Sequence, residues 1–401
     1  MSSQSVEVVI VGGGPAGLTA AIALAAAGIE TALVAKLARA PDNRTTALLA
    51  SSVTALDTLG VWPHCRDDAA PLRVMRIIDD TARLLRAPEV HFAASEIGLD
   101  AFGHNIENRY LLAALDARAR ALASLAFVED EAQAVAIEDS RVTVTLAHSA
   151  TLTARLVIGA DGRRSRCRQA ARIATDGQRY RQTALTFNLG HRRPHHDAST
   201  EFHTQSGPFT LVPLPGARSS LVLVLDPPEA ARIAALPEDA LAAEIERRSH
   251  SILGRIAPEP ERGEFPLAVE TARRFAVARV ALVGEAAHLL PPIGAQGLNL
   301  GLRDAATIAE LVVAAHRDGA DVGAAALADR YDGSRRADVT GRTLAVDLLN
   351  RSLLTDFLPL QGARGLGLFL MERIGPLRRA VMREGVAPAA SQPRLMRGEA
   401  L

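Results

Sequence analysis

The sequence predicts a mixed α/β fold, in which a parallel sheet is followed by a mostly antiparallel sheet and by C-terminal helices. Three observations predict it: a strand, glycine turn, helix and strand within Val6 to Lys36, alternating segments between residues 182 and 226, and a helical pattern from Ala328 onward. A strand–helix–strand unit of about 30 residues is typical of a parallel sheet. A two-residue period is typical of strands with one buried face.

The N-terminal unit has its glycines where a ligand-binding turn needs them. Gly12, Gly14 and Gly17 follow a β-branched strand and open an Ala-rich helix. The first glycine permits a tight turn, the second lets the backbone approach a pyrophosphate, and the third lets the helix pack closely on the strand. Because a helix N-terminus favours an anion, the unit predicts dinucleotide binding. Glycines and a proline interrupt the uncharged run from Val8 to Ile29, so it predicts no membrane span.

The composition argues against several classes of function. The 401 residues carry 45 basic and 45 acidic side chains, so no net positive field attracts nucleic acid. Aromatic residues make up 3% of the chain, which argues against base-stacking platforms. The two cysteines form neither a disulfide framework nor a metal cluster, which indicates a reducing compartment. The spacing of His195, His196 and His203 is not that of a metal site.

Hydrophobic spacing predicts the remaining elements. Helices are predicted over residues 47–59, 109–125, 229–250 and 298–316, and strands over 73–78, 82–86, 132–138, 141–146, 151–159, 184–187, 209–214, 220–225 and 280–283. The Pro-, Ser- and Arg-rich residues 387–401 are predicted to be frayed. We expect a discontinuous nucleotide-binding domain over 1–72, 103–175 and 271–330, a second domain over 73–102 and 176–270, and a C-terminal helical segment over 331–401.

Four polar or basic segments have two interpretations each. Arg44 is either a solvated loop residue or a phosphate or ribose contact. The loop from Gly284 to Gly301 is either plain structure or a second ligand-facing helix N-terminus. Five arginines after Asp161 form either a solvated face or a site for an anionic cofactor: Arg163, Arg164, Arg166, Arg168 and Arg172. Four near the C-terminus belong either to a core-packing helix pair or to a lipid or partner surface: Arg373, Arg378, Arg379 and Arg383.

Three separated motifs coincide in the chain. They are Gly12-x-Gly14-x-x-Gly17, Asp161-Gly162, and Gly284-Glu285-Ala286-Ala287-His288 with its Pro-Pro-x-Gly-Ala-Gln-Gly-Leu-Asn continuation. Together they resemble the flavoprotein aromatic hydroxylases, the single-component FAD-dependent monooxygenases. Three further segments look like the ubiquinone-biosynthesis hydroxylase branch: Arg44-Thr45-Thr46-Ala47-Leu48, His104-Asn105-Ile106-Glu107-Asn108 and Asn299-Leu300-Gly301-Leu302-Arg303-Asp304. The resemblance covers nearly the whole chain.

The resemblance implies a Rossmann-like FAD-binding domain, a substrate domain built on the second sheet, and FAD in an extended pose. It implies that Arg44 contacts the phosphate and adenosine-ribose side, and that Pro292 borders the reactive flavin carbon as the catalytic position. The implied cofactor-binding residues are Gly12, Gly14, Pro15, Ala16, Gly17, Arg44, Asp161, Gly284, Glu285, Gly297, Leu298 and Asn299.

The same resemblance implies the chemistry. NAD(P)H or another donor would reduce FAD, O2 would form a flavin C4a-hydroperoxide, and an aromatic ring of a prenylated phenol or quinone precursor would be hydroxylated. A lipophilic aromatic substrate, other ubiquinone-biosynthesis proteins and a cytoplasmic site with at most peripheral contact at the inner membrane face are the expected partners and location. A halogenase or prenyl reductase, and a flavin-poor scaffold subunit, are the alternatives. The expected pocket wall is Phe187, Phe209, Leu211 and Leu223.

Two positions depart from the family pattern. The second strand usually ends in an acid that binds the adenosine ribose, whereas here Val34 is followed by Ala35 and Lys36, with no acid nearby in the sequence. The usual Gly-Asp pair reads Gly284-Glu285, which keeps the carboxylate but adds a methylene. Both departures bear on FAD affinity.

Overall fold

The computed structural model describes residues 3–36, 44–81, 88–148, 150–291, 295–354, 374–386 and 392–401. The strands are β1 (Ser3–Ser5), β2 (Val8–Val11), β3 (Thr31–Val34), β4 (Thr45–Leu49), β5 (Ala69–Pro71), β6 (Val74–Asp79), β7 (Val90–Ala93), β8 (Gly103–Glu107), β9 (Leu125–Val128), β10 (Ala132–Ile137), β11 (Val142–Leu146), β12 (Thr151–Ala154), β13 (Leu156–Gly159), β14 (Thr175–His191), β15 (Ala198–His203), β16 (Pro208–Leu214), β17 (Arg218–Leu225), β18 (Ile256–Pro258), β19 (Gly263–Ala272), β20 (Ala276–Val277), β21 (Val280–Leu282) and β22 (His288–Leu289). The helices are α1 (Pro15–Ala26), α2 (Ala50–Thr58), α3 (Asn108–Arg120), α4 (Arg166–Ala170), α5 (Pro227–Ala234), α6 (Glu238–Arg248), α7 (Gln296–Arg317), α8 (Ala325–Leu354) and α9 (Gly375–Val386).

A six-stranded sheet in the order β20-β21-β13-β2-β3-β9 carries the N-terminal glycine turn. All four residues of β2 are buried, as expected for a parallel strand covered on both faces. Val11 at the end of β2 lies opposite Gly159 at the end of β13 in parallel register. The glycine turn and Asp161 therefore leave the sheet at the same edge, where ligands of α/β proteins bind.

A nine-stranded sheet, here called the large sheet, has the order β22-β19-β14-β17-β16-β15-β6-β7 with β18 beside β14. Its strand pairs are antiparallel except for β6 with β15, so the prediction of a mostly antiparallel second sheet is confirmed. One face packs on α5 and α6, where Leu223, Ile233 and Ile245 are buried in one cluster. The helices predicted over 229–250 therefore each bury one face.

Tertiary pairing moves three predicted boundaries. The helix predicted over 47–59 begins at Ala50, because residues 45–49 form β4 against β8. The helix predicted over 109–125 ends at Arg120, and Leu125 begins β9 beside β3. The strand predicted over 151–159 is divided between two sheets, as β12 and β13.

The prediction of a frayed C-terminus is wrong for residues 392–401. Leu395 and Met396 are 1% and 3% exposed and belong to the main core, and the backbone N–H of Arg394 donates to Glu310 at 2.9 Å. Residues 387–391, the strand predicted over 82–86 and Arg373 lie outside the described residues. Within the described ranges, no helix is long and apolar enough to cross a bilayer.

Candidate functional site

Two of the three glycines of the N-terminal turn are required by packing. Gly12 has a φ of +117°, and a Cβ there would lie 2.2 Å from the carbonyl oxygen of Ala160. A Cβ on Gly17 would lie 2.1 Å from the carbonyl oxygen of Gly12. A Cβ on Gly14 would meet nothing within 4 Å. Gly14, which precedes Pro15 at the start of α1, therefore borders open space.

A cleft of about 620 Å³, here called the glycine-turn cleft, lies beside this turn and is lined by Gly12, Gly13, Ala35, Glu131 and Asp161, among others. One oxygen of Asp161, Oδ2, accepts hydrogen bonds from the backbone N–H groups of Arg166 at 2.7 Å and Cys167 at 3.2 Å. These bonds hold the carboxylate at the start of α4.

Two acids that sequence proximity did not reveal stand at this cleft. Asp130 and Glu131 follow β9, which pairs with β3, and both line the cleft together with Ala35. Glu131 contacts Nζ of Lys36 at 3.1 Å across a separation of 95 residues. The backbone N–H of Glu131 and the His148 ring lower the pKa of Asp130. The expectation that no acid is near the end of the second strand is therefore wrong in three dimensions.

A second cleft of about 580 Å³, here called the interface cleft, lies between the loops of the parallel sheet and the large sheet. Arg44, Arg163, Glu285 and Pro291 line it from the loop side. From the large sheet it is lined by Thr186, Asn188, Ser220, Val222 and Phe265, among others. The guanidinium carbon of Arg44 lies 5.7 Å from the ring centroid of Phe265.

The residues expected to form the pocket wall lie mainly on the wrong face of the large sheet. Phe209, Leu211 and Leu223 are at most 2% exposed and pack with α5 and α6. Phe187 shares that cluster, although it is also counted in the lining of the interface cleft. Thr186 and Val222 are paired in neighbouring strands and follow or precede the core positions by one residue. Because side chains alternate between the faces of a strand, their side chains lie on the opposite face of the large sheet.

A buried ionic network supports the loop that begins at Gly284. Asp304 is fully buried, and its Oδ2 accepts from the backbone N–H of Gly284 at 3.0 Å and contacts Nε2 of His288 at 2.6 Å. Its Oδ1 accepts from Nε of Arg335 at 2.7 Å. Burial alone would raise the pKa of Asp304, but His288 and Arg335 lower it. The network therefore contains a charged carboxylate that fixes the Gly284 turn.

The network continues to the N-terminus of α7. Asp338 contacts Arg335 at 2.8 Å, Arg303 at 2.9 Å and Arg342 at 3.0 Å. Arg342 in turn donates to Oε1 of Gln296, the first residue of α7, at 3.1 Å. The Gly284 turn and the N-terminus of α7 are thus joined through buried and half-buried charges of α7 and α8.

A family model described as an FAD binding domain matches residues 5–344. The chain belongs to this family. It is 37% identical over 402 residues to ubiquinone hydroxylase UbiL of Rhodospirillum rubrum, covering 98% of this chain and 92% of that protein. It is 30% identical over 393 residues to 3-demethoxyubiquinol 3-hydroxylase of Escherichia coli, covering 96% and 99%. The resemblance to the ubiquinone branch of the flavoprotein aromatic hydroxylases is confirmed, and the chain is an FAD-dependent monooxygenase.

Solved structures share the fold of this family member. The p-nitrophenol 4-monooxygenase PnpA of Pseudomonas putida superposes with a TM-score of 0.79 at 21% identity, covering 97% of this chain and 100% of that chain. HpxO of Klebsiella pneumoniae, complexed with FAD and uric acid, gives a TM-score of 0.74 at 19% identity, covering 94% and 96%. The predicted fold class is confirmed.

The structure brings four of the predicted site residues into the lining of the two clefts. Gly12 and Asp161 line the glycine-turn cleft, whereas Arg44 and Glu285 line the interface cleft. Arg44 is thus not among the residues that line the cleft with Ala35, and its predicted contact with phosphate and ribose stays a prediction. Pro292 lies outside the described residues, and its neighbour Pro291 lines the interface cleft.

The first turn of α7 is tied to β4 by a side chain. Nδ2 of Asn299 donates to the carbonyl oxygens of Ala47 at 2.8 Å and Ala295 at 2.6 Å, and its Oδ1 accepts from the N–H of Leu49 at 2.8 Å. The side chain of Asn299 is therefore occupied by protein contacts. Gly297 lies in the same turn, and a Cβ there would meet nothing within 4 Å.

The arginines after Asp161 do not behave as a single group. Arg168 is 8% exposed and donates to the carbonyl oxygens of Ala286 at 2.8 Å and Arg163 at 2.7 Å, so it is a buried structural residue. Arg164 and Arg166 line the glycine-turn cleft. Near the C-terminus, Arg378 pairs with Glu96 at 2.7 Å, which favours packing for that residue.

Proposed function

We propose that this monooxygenase hydroxylates the aromatic ring of a prenylated phenol or quinone precursor in ubiquinone biosynthesis. The observation that carries the proposal is the interface cleft, whose volume of about 580 Å³ suits a small-molecule site. It lies where loops from the FAD-binding motifs meet the large sheet. The relatives named as ubiquinone hydroxylases support the substrate class.

FAD fits the residues that border the two clefts. The open space at Gly14 leaves room for a pyrophosphate against the start of α1, where free N–H groups favour an anion. Glu131 and Asp130 supply the carboxylates missing at Ala35 for a ribose hydroxyl. The residues proposed to hold FAD are Gly12, Gly14, Pro15, Ala16, Gly17, Arg44, Asp161, Gly284, Glu285, Gly297, Leu298 and Asn299.

Bound FAD, once reduced by NAD(P)H or another donor, supplies the activation of O2, which is cofactor chemistry. The protein positions the substrate ring and keeps water out of the cleft. The apolar side chains of Val222, Phe265 and Leu267 line the interface cleft and exclude water from the reacting ring. The polar side chains of Thr186 and Ser220 line the same cleft and orient the oxygen substituents of the ring. Pro292 is proposed to border the reacting centre.

The test compares two phenols that differ only in a prenyl chain. The purified protein is assayed with each phenol, NAD(P)H and isotope-labelled O2, and mass spectrometry follows oxygen incorporation. Each buried methylene contributes about 0.8 kcal/mol, so the prenylated phenol is expected to have a KM at least about tenfold lower.

Three outcomes separate the functions. Oxygen incorporation with a preference for the prenylated phenol supports the proposal. A preference for the short phenol contradicts the substrate class but keeps the monooxygenase. A protein that binds FAD yet incorporates no oxygen with any donor would instead favour a scaffold role.

A further inference from the structure

The strand β8 connects the FAD-binding part of the chain to the large sheet. It lies between β4 and β5 in a three-stranded sheet. Asn105 and Glu107 are two residues apart, so their side chains leave the same face of the strand. Each is 1% exposed, and each makes hydrogen bonds to residues of the large sheet, while Glu107 also accepts from Arg109 of α3 at 3.1 Å. The segment from His104 to Asn108 therefore places two buried polar side chains under the interface cleft.

Asn105 fixes the hydroxyl of Ser220. Its Nδ2 donates to the carbonyl oxygen of Pro213 at 2.9 Å and to Oγ of Ser220 at 3.2 Å. An amide NH2 has two hydrogens, and both are used here. Because Ser220 accepts from Asn105, its own hydroxyl hydrogen is directed elsewhere. Ser220 lines the interface cleft, so its O–H can donate to a ligand there.

Glu107 fixes the amide of Asn188 in the same way. Its Oε1 accepts from Nδ2 of Asn188 at 3.1 Å, and its Oε2 accepts from Arg218 at 3.2 Å. A carboxylate can only accept, so it determines which end of the Asn188 amide turns toward it. Arg218 also contacts Glu259 at 2.8 Å. The hydrogen bond to Glu259, and to a smaller extent the one to Glu107, raises the pKa of Arg218. The negative charge of the buried Glu107 carboxylate is therefore balanced by the guanidinium of Arg218.

We propose that Asn105 and Glu107 are positioning residues for the substrate. Through Ser220 and Asn188 they hold the polar wall of the interface cleft, against which the oxygen-bearing edge of the aromatic ring lies. On the large-sheet side of the cleft, Val222 and Phe265 are the apolar neighbours of this polar wall, so the wall sets the orientation of the ring on that side. This inference rests on the proposed function, since it concerns the substrate of the same cleft.

A double-mutant cycle tests the pair Asn105 and Ser220. The holoenzymes of wild type, Asn105→Ala, Ser220→Ala and the double variant are titrated with a polyprenylphenol, and the absorbance of bound FAD reports binding. One neutral hydrogen bond corresponds to a roughly three- to tenfold loss of affinity. Each single variant is expected to lose that much, and the double variant no more than either single, because both changes remove one interaction.

The controls separate positioning from general loss of structure. The FAD dissociation constant is expected to stay within about twofold of wild type in all four proteins. Thr46→Val is the matched control, because Thr46 donates to Oδ1 of Asn108 at 2.7 Å rather than to the large sheet. Its phenol affinity is expected to equal that of wild type. Asn105→Asp is expected to bind phenol at least as weakly as Asn105→Ala, because a carboxylate would attract the Ser220 hydrogen.

Three outcomes count against the inference in different ways. Unchanged phenol affinity in Ser220→Ala, a variant that keeps Asn105, would overturn the positioning role. The proposed function would still stand. Additive losses in the double variant would show that Asn105 does not act through Ser220. If the wild-type protein binds no polyprenylphenol at all, the proposed function fails, and the positioning role falls with it.

Discussion

The pair Gly14 and Gly17 separates cofactor binding from folding within one motif. A Cβ on Gly14 meets nothing within 4 Å, whereas a Cβ on Gly17 would lie 2.1 Å from the carbonyl oxygen of Gly12. We predict that Gly14→Ala folds normally and loses FAD affinity. We predict that Gly17→Ala loses stability first, because the backbone must move to admit the methyl group.

The magnitudes follow from the local geometry. Gly14 has a φ of −72° and a ψ of 172°, which alanine adopts easily. Because alanine restricts the unfolded chain more than glycine does, the substitution stabilises the folded protein by about 0.4–1 kcal/mol. Alanine is a poorer N-cap than glycine, and the two effects nearly cancel. Loss of one charge-assisted hydrogen bond to a pyrophosphate costs about 1.5–3 kcal/mol, which is a roughly ten- to hundredfold weaker FAD dissociation constant. Gly17→Ala is expected to cost about 1–3 kcal/mol or more, as overpacking does.

Two measurements on each apoprotein check this pair. Urea unfolding gives the free energy of unfolding, and quenching of flavin fluorescence gives the FAD dissociation constant. Wild-type FAD affinity in Gly14→Ala would show that no pyrophosphate lies at this position. A Gly14→Ala protein less stable than Gly17→Ala would refute the packing argument.

Three further changes have defined outcomes. Glu131→Gln is expected to weaken FAD binding about tenfold or more by loss of a charged ribose contact. Ala35→Glu in that background is expected to restore the affinity. An unchanged FAD dissociation constant in Glu131→Gln would show that Glu131 does not bind the ribose. Asp304→Asn is expected to lower the free energy of unfolding by about 3–5 kcal/mol at neutral pH, because the buried Arg335 loses one of its two carboxylate partners and keeps only Asp338. Since His288 and Arg335 lower the pKa of Asp304, that difference is expected to persist above about pH 5 and to shrink as the pH falls below about 4; urea unfolding from pH 7 to pH 3 with a constant difference would contradict this. Leu395→Ala is expected to cost about 2–4 kcal/mol in urea unfolding, and a loss below about 0.5 kcal/mol would mean that the C-terminal segment does not pack on the core.

Elements whose signal is local could be predicted from the sequence. The glycine turn, α1 and the hairpin of β10 and β11 depend on glycine, helical spacing and alternation within about 30 residues. Element boundaries could not be predicted where a distant partner competes. Residues 47–49 belong to the predicted helix, yet they form part of β4 because β8 supplies backbone hydrogen bonds.

The face of a strand that meets a ligand was not predictable in the large sheet. Both faces carry apolar residues, since Leu223 and Val222 are neighbours in β17. The pattern cannot tell the face that packs on α5 and α6 from the face that lines the interface cleft. Only the pairing of the strands and the position of the helices decide this, which is why three of the expected wall residues are ordinary core.

The sequence by itself determined the family, the fold class and the motifs at the two clefts, because each motif is contiguous and its chemistry requires particular residues. Only the tertiary structure decided which distant side chains complete those motifs. Glu131 joins Ala35 through the pairing of β9 with β3, Asp304 reaches Gly284 from inside α7, and Asn105 reaches Ser220 across two sheets. Buried charges and amides must find partners, and those partners are set by the distance between atoms in the fold rather than by spacing along the chain.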